Sequence, residues 1–148
     1  MSKRKGGSKA LIYRGFLHFP KQLLDCSDFI SLKGNGIKLL IDIAQQYNGY
    51  NNGDLCAALS IMKPRGWNSN QQLSKSLKEL IDKNLIMLTK QGGLNMGPNL
   101  YGITWQPIDE CNRKLDVKPT TPHQGHSNKI RSTTPYSGAS YTVLWCSE

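Results

Sequence analysis

The sequence predicts a mainly helical α+β domain with a small β-hairpin. The strongest helical periodicity lies in residues 67–85, where Leu73, Leu77, Leu80 and Ile81 fall on one apolar stripe that should be buried. Shorter apolar stripes with the same period precede this segment, and two β-prone runs follow it. The chain length of 148 residues fits one domain with tails.

The predicted domain begins with an extended run at residues 13–19 and a short helix. Pro20 suits the first turn of that helix, in the segment PKQLLDC, because its missing N–H would be unbonded there. Ser31 is the candidate cap of the next helix, which we expect to run from residue 32 or 33 to Tyr47. An Asn-Gly pair at 48–49 ends it.

A second helix is predicted in the segment DLCAALSIMK, residues 54–63, because its apolar residues repeat at i, i+3, i+4 and i+7. Asn52 or Asp54 would cap it, and Pro64 would end it. A tight basic turn, Lys63-Pro64-Arg65-Gly66, then leads into the longest helix. Lys63 and Arg65 are candidate contacts to a phosphate backbone.

The longest helix should start near Asn68 or Ser69, because Ser69 and Gln72 form a capping-box pattern. Its polar face carries amides, a hydroxyl and ammonium groups, which can bond base edges and phosphates in a major groove. These candidate nucleic-acid-binding residues are Asn70, Gln71, Ser74, Lys75 and Lys78. A merely solvated helix face is the alternative interpretation.

The two β-prone runs, residues 85–90 and 100–105, are joined by the Gly- and Pro-containing loop QGGLNMGPN and predict an antiparallel hairpin. Tyr101, Ile103 and Trp105 alternate and should face the helices. Lys90 would lie at the base of the loop as a further phosphate contact. Three helices followed by a hairpin define a winged helix-turn-helix.

Both ends of the chain differ in composition from the predicted domain. Residues 1–11 predict a disordered basic arm in which Lys3, Arg4 and Lys5 either contact phosphates or only aid solubility. The winged-helix domain spans residues 12–118. Residues 119–148 predict an irregular linker or tail with a candidate strand, YTVLW, at 141–145.

Charge and hydropathy limit the possible partners. The net charge is +9, of which residues 1–14 carry +5 and residues 53–106 carry +3. This excess favours a polyanion such as nucleic acid, or a membrane surface. No apolar run approaches the roughly 18 residues that a membrane span needs, and no signal-peptide core follows the basic start. We therefore expect no membrane contact and a cytoplasmic location.

No enzymatic or metal chemistry is predicted. The chain lacks HExxH, GxSxG, P-loop and Rossmann patterns, so we expect neither an enzyme nor a cofactor. His123 and His126 follow Cys111 without a fourth ligand at structural-site spacing, so no metal site is expected. The four cysteines contain no CxxC pair and should be free thiols: Cys26, Cys56, Cys111 and Cys146.

The segments NNGDL, MKPRGW and WQPIDEC resemble those of small winged helix-turn-helix proteins found in proteobacterial prophages, plasmids and other mobile elements. More distantly, the region from FPKQLL to KLLIDIA resembles the winged-helix domains of plasmid and phage replication initiators. The resemblance covers roughly residues 12–118 and implies the winged-helix fold. Relatives tend to carry more arginine on the third helix and in the wing, whereas the loop here is uncharged.

Two functions follow as hypotheses. The first is binding of double-stranded DNA through the third helix, as a transcriptional regulator or replication accessory protein of a mobile element. The alternative is a protein-interaction module that docks a host protein or ribonucleoprotein complex, as an inhibitor of anti-CRISPR type would do. A homodimer is left open, because many helix-turn-helix proteins bind paired half-sites but no heptad pattern is present here.

Overall fold

The computed structural model describes residues 15–120, which form a mixed α+β fold as the sequence predicts. The described part contains five α-helices and a three-stranded antiparallel sheet. In chain order these are α1 Lys21–Leu24, α2 Ser27–Ile30, α3 Gly34–Ala44, β1 Leu55–Cys56, α4 Leu59–Met62, α5 Asn70–Asp82, β2 Ile86–Lys90 and β3 Leu100–Ile103. The predicted arm at 1–11 and the candidate strand at 141–145 lie outside the described residues.

Helix α3 is shorter than the periodicity predicts, and its cap is a different residue. It ends at Ala44 rather than Tyr47. The hydroxyl of Ser31, the predicted cap, donates to the carbonyl of Asp28 instead. The first turn of α3 is capped from a distance, because the backbone N–H of Lys33 donates to Glu79 Oε1 at 3.2 Å. A carboxylate at a helix N-terminus is favourable, because it meets unbonded N–H groups and the positive end of the helix dipole.

The predicted second helix over residues 54–63 is wrong in its first half. Leu55 and Cys56 form β1, which pairs with Tyr101 and Leu100 of β3. On the opposite edge, the side-chain amide of Gln46 accepts from Cys56 N at 2.9 Å and donates to Cys56 O at 2.8 Å. These bonds satisfy the extended backbone, so local helical spacing loses to pairing with a distant strand.

Only the second half of that segment is helical. Ala58, in an extended conformation, precedes α4, so neither Asn52 nor Asp54 caps it. A 3-10 turn, Lys63–Arg65, follows directly and ends at Gly66, whose φ of 93° is left-handed. This conformation suits glycine because it lacks a Cβ. The turn reverses the chain and sets the start of α5.

Helix α5 begins where the sequence predicts. Ser69 is its N-cap, and its hydroxyl accepts from Gln72 N–H at 3.2 Å. The apolar stripe packs against α3, with Leu73 and Leu80 buried, but its last predicted member, Ile81, is 37% exposed. The helix is thereby fixed on one side and open to solvent on the other.

The sheet has the order β1-β3-β2, with β3 in the centre. The predicted hairpin is confirmed: Ile86 of β2 pairs with Ile103 of β3, and the register shifts between Leu88 and Lys90. The predicted inward-facing residues of the second strand are all buried: Tyr101, Ile103 and Trp105. The connecting loop closes on itself through a bridge between Gly93 and Gly97.

The second face of the sheet is covered by the segment that follows β3. A Cβ on Gly102 would lie 2.5 Å from Ile108, so Ile108 can pack directly on the strand backbone. Gly53 has the same role for Leu115, which would lie 2.6 Å from its Cβ. This cover explains why every residue of β3 is buried.

Asn52 joins this segment to the sheet. Its side chain is wholly buried, and Nδ2 donates to the carbonyl oxygens of Ile103, Gln106 and Pro107 at 2.9 to 3.0 Å. Its Oδ1 accepts from Ile103 N–H at 2.8 Å. The residue that the sequence suggested as a helix cap therefore satisfies four backbone groups elsewhere.

Within residues 15–120, no helix combines the length and apolar character that crossing a bilayer requires.

Candidate nucleic-acid interface

The exposed face of α5 carries every helix residue that the sequence singled out. Each of the following is exposed: Asn70, Gln71, Ser74, Lys75 and Lys78. Because Leu73, Ser76 and Leu80 bury the opposite face, these side chains share one side of the helix. The face contains donors and acceptors suited to base edges together with ammonium groups suited to phosphates.

This face divides into two stripes with different charge. Asn70, Ser74 and Lys78 form the first, at helical spacing. Lys78 Nζ lies 3.1 Å from the carboxylate of Asp82, but both side chains are largely exposed. An exposed pair of this kind contributes little free energy, so Lys78 stays available to an anion.

The second stripe borders a polar groove between α5 and the N-terminal end of α3. Gln71 and Lys75 line the groove on the α5 side. Its charges balance, because three lysines stand against three acids: Lys33, Lys75, Lys83, Asp28, Glu79 and Asp82. The groove lining therefore carries no net charge.

Near the turn that precedes α5, a buried carboxylate accepts hydrogen bonds from three side chains. Asp42, on α3, has a side chain that is only 5% exposed. Its Oδ1 accepts from Arg65 Nε at 2.7 Å, and its Oδ2 accepts from Lys38 Nζ at 2.6 Å and from Trp67 Nε1 at 2.8 Å. Lys38 Nζ also donates to the carbonyl of Arg65 at 2.7 Å and lies 5.2 Å from the centre of a Trp67 ring.

The electrostatics of this cluster favour a charged Asp42. Burial by itself raises the pKa of a carboxyl group, but the hydrogen bonds from Lys38, Trp67 and Arg65 outweigh it and hold the pKa of Asp42 below its ordinary value. Asp42 is therefore ionised at neutral pH and anchors the turn to α3.

Sequence reasoning selected Arg65 and missed Asp42, Lys38 and Trp67. One local signal was present, because Asp42 lies three residues after Leu39 and next to Ile43, on the apolar side of α3. An acid at such a position needs a buried partner. Lys38 lies four residues before Asp42 and was identifiable as its partner. Arg65 and Trp67 lie 23 and 25 residues after Asp42, so local spacing could not predict these two contacts.

The remaining predicted contacts lie elsewhere on the surface. Lys63 is exposed in the 3-10 turn, and Lys90 is half-buried at the end of β2, beside the loop. The loop presents apolar side chains, since Leu94 is 92% exposed and Met96 is 62% exposed. Lys3, Arg4 and Lys5 fall outside the described residues.

Residues 15–120 hold twelve basic and nine acidic residues, a net charge of +3 out of the chain's +9. Most of the positive charge therefore belongs to residues beyond the described part, chiefly the predicted arm. Residues 1–14 alone carry +5, which exceeds the net charge of residues 15–120.

Within the described residues, no group of His, Cys, Asp or Glu could hold a metal ion. Cys56 and Cys111 are free thiols there, and Cys26 is buried. Burial, with the nearby carboxylates of Asp54 and Asp109, raises the pKa of the Cys111 thiol. Cys111 is therefore a weak nucleophile at neutral pH.

No protein-family model, no curated protein and no solved structure matches the chain. The interpretation of the surface of α5 therefore depends on its own geometry and chemistry.

Proposed function

We propose that this chain is a winged helix-turn-helix protein that binds duplex DNA by placing α5 in the major groove. The order of elements supports this, because helix, strand, two helices and a hairpin follow one another, and the short first strand completes the sheet of the hairpin. In this arrangement α4 and α5 are the helix-turn-helix, and the loop 91–99 is the wing. A role as a regulator or replication accessory protein of a mobile element, in the cytoplasm, would follow.

The observation that carries the proposal is the acid-free start of α5. The first eight residues of the helix include amides, hydroxyls and Lys75 but no acid, and the ninth is Lys78. The first acid, Glu79, is turned towards the backbone of Lys33. Helix-turn-helix proteins contact base edges with the N-terminal part of the second helix, and asparagine and glutamine amides bond adenine edges there.

The test is selection of duplexes from a random pool, followed by a mobility-shift titration with the best duplex. The double variant Asn70→Ala/Lys75→Ala should weaken binding at least tenfold and lose sequence preference, because one good base contact is worth about 1 to 3 kcal/mol of discrimination. The matched control is Lys21→Ala/Gln22→Ala, which removes one exposed lysine and one exposed amide from α1. The control should bind within twofold of the unmodified chain, and equal behaviour of the two doubles would contradict the proposal.

A second candidate function is docking of a protein partner through the wing. The supporting observation is the exposure of Leu94 and Met96 on a loop without charge. Phosphates gain nothing from such a surface, whereas apolar tips fit pockets on proteins. A second copy of the chain or a host nucleoprotein component would be the partner.

The two functions separate in a pulldown after nuclease digestion. A protein partner that is retained without nucleic acid, and lost in Leu94→Ser/Met96→Ser, supports wing docking. Loss of every partner on nuclease treatment supports DNA binding. Leu94 and Met96 are both largely exposed, so the double variant should fold normally.

A further inference from the structure

The guanidinium of Arg65 is bonded on one side only. Its Nε donates to Asp42, and within residues 15–120 neither Nη nitrogen forms a hydrogen bond. The Arg65 side chain is 37% exposed, while that of Asp42 beneath it is 5% exposed. The outward edge thus presents paired N–H donors, the arrangement that binds phosphate oxygens bidentately.

Both ends of Arg65 are fixed. Its backbone carbonyl accepts from Lys38 Nζ at 2.7 Å, and its Nε is tied to Asp42 at 2.7 Å. An unrestrained arginine on a surface loses much rotamer freedom when it binds an anion, whereas an arginine already held at Nε loses less. Arg65 lies in the 3-10 turn that precedes α5, the helix proposed to enter the major groove.

We propose that Arg65 is a preorganised fork for a phosphodiester group of the nucleic-acid backbone, and that Asp42 is the positioning residue that aims it. This inference depends on the proposed DNA-binding function and deepens it. The ligand is the phosphate of a duplex held by α5. Lys38 is committed to the same cluster and contributes charge, but its Nζ is already bonded to Asp42 and to the Arg65 carbonyl.

The low pKa of Asp42 is consistent with this role, because a charged carboxylate is needed to hold the guanidinium. The local balance also permits anion binding. Lys38, Lys63 and Arg65 together exceed the single charge of Asp42 by two. A phosphate that approaches the turn therefore meets a net positive site despite the buried acid.

Positioning of Arg65 by Asp42 and simple electrostatics predict opposite effects of Asp42→Asn on DNA affinity. Asp42→Asn removes a negative charge beside the interface, so an effect of charge alone would strengthen DNA binding. If Asp42 positions Arg65, the same variant weakens binding instead, because the guanidinium loses its charged acceptor. Arg65→Lys keeps the charge but cannot both bond Asp42 and present a fork, so it also weakens binding.

The experiment uses the full chain and its selected duplex, with Kd measured at several salt concentrations. Arg65→Ala should raise Kd about tenfold and reduce the log-log salt slope by about 0.9, the value for one phosphate. Arg65→Lys and Asp42→Asn should each raise Kd about fivefold. In the double variant Asp42→Asn/Arg65→Lys, the rise in Kd should be smaller than the product of the two single effects, because both changes disrupt the same Asp42–Arg65 contact. Asp42→Glu, which keeps the carboxylate, should recover part of the affinity.

Circular dichroism and thermal unfolding show whether each variant is folded. A folded Asp42→Asn that binds as tightly as the unmodified chain overturns the positioning role. An unchanged salt slope in Arg65→Ala overturns the phosphate contact, and this holds even if Asp42→Asn does not fold. If Asn70→Ala/Lys75→Ala loses binding while Arg65→Ala and Arg65→Lys do not, only this inference fails. If the unmodified chain selects no duplex, the proposed function fails as well.

Discussion

At the scale of single residues, Asn52 does more for the fold than its neighbours. Its amide bonds four backbone groups near the end of β3, and its own N–H and carbonyl bond the side chain and backbone of Asp109. None of these contacts is local in sequence. A single polar side chain therefore takes the place of regular pairing where the strand ends and the covering segment begins.

We predict that Asn52→Ala lowers the free energy of unfolding by roughly 3 kcal/mol or more, because it leaves several buried backbone groups without partners. Urea denaturation monitored by tryptophan fluorescence measures this. The control is Asn68→Ala, at an exposed position, which should change stability by less than about 0.5 kcal/mol. A loss below about 1 kcal/mol for Asn52→Ala would show that water replaces the amide.

The second prediction at this scale concerns pH. The pKa of Asp42 is lower in the folded chain than in the unfolded chain, so its contribution is present above about pH 4 and is lost as the pH falls through the folded pKa. The stability difference between the unmodified chain and Asp42→Asn should therefore be largest near neutrality and shrink in acid. Urea denaturation from pH 7 to pH 3 measures it, with the exposed Asp25→Asn as control. A difference that grows in acid would contradict the assignment.

At the scale of elements, a glycine of α3 lies against the α5 side chain that caps α3. A Cβ on Gly36 would lie 2.9 Å from Glu79 Oε2, of the carboxylate that caps α3. Sequence periodicity predicted both helices. It could not predict the cap, because Lys33 and Glu79 are 46 residues apart.

We predict that Gly36→Ala stabilises the chain less than Gly34→Ala does, although alanine favours a helix by about 1 kcal/mol over glycine. The methyl added at residue 36 must displace the flexible end of the Glu79 side chain and weaken its bond to Lys33, which offsets the gain in helix propensity. Gly34→Ala is the matched control, since it lies in the same helix turn and meets nothing within 4 Å. Thermal unfolding should place Gly36→Ala below Gly34→Ala. The reverse order would contradict the role of the Glu79 cap.

The elements that the sequence predicted correctly are those with local causes. Helix α5 has a cap, a stripe and an end within about fifteen residues, and the hairpin joins runs separated by a short loop. The prediction of a helix at residues 55–56 was wrong because the strand that pairs with them lies some 45 residues away in the chain. The candidate site divides in the same way, because exposure of the α5 face follows from periodicity, whereas the Asp42 cluster requires the folded arrangement.

At the scale of the whole molecule, most of the net positive charge lies outside residues 15–120. Residues 15–120 carry +3, while residues 1–14 carry +5. The mixed charge of the α5 face is then combined with the strongly basic residues 1–14. Phosphate contacts from such a segment add affinity without sequence preference.

We predict that the triple variant Lys3→Gln/Arg4→Gln/Lys5→Gln lowers the log-log salt slope of DNA binding by up to about 2.7 and leaves sequence preference unchanged. Shift assays at several salt concentrations, with matched and scrambled duplexes, measure both quantities. Lys118→Gln serves as an exposed control near the end of the described part. An unchanged slope in the triple variant would mean that these residues aid only solubility.

The amide of Gln46 has a consequence for assembly. By occupying both the N–H and the carbonyl of Cys56, it closes the outer edge of β1 at that residue. Exposed strand edges invite neighbouring chains to add strands, the route by which sheets polymerise. Gln46, which follows the C-terminal end of α3, therefore blocks the addition of another strand at this position of the sheet edge. The sheet order β1-β3-β2 leaves β2 as the other edge strand, so this block applies to one edge of the sheet.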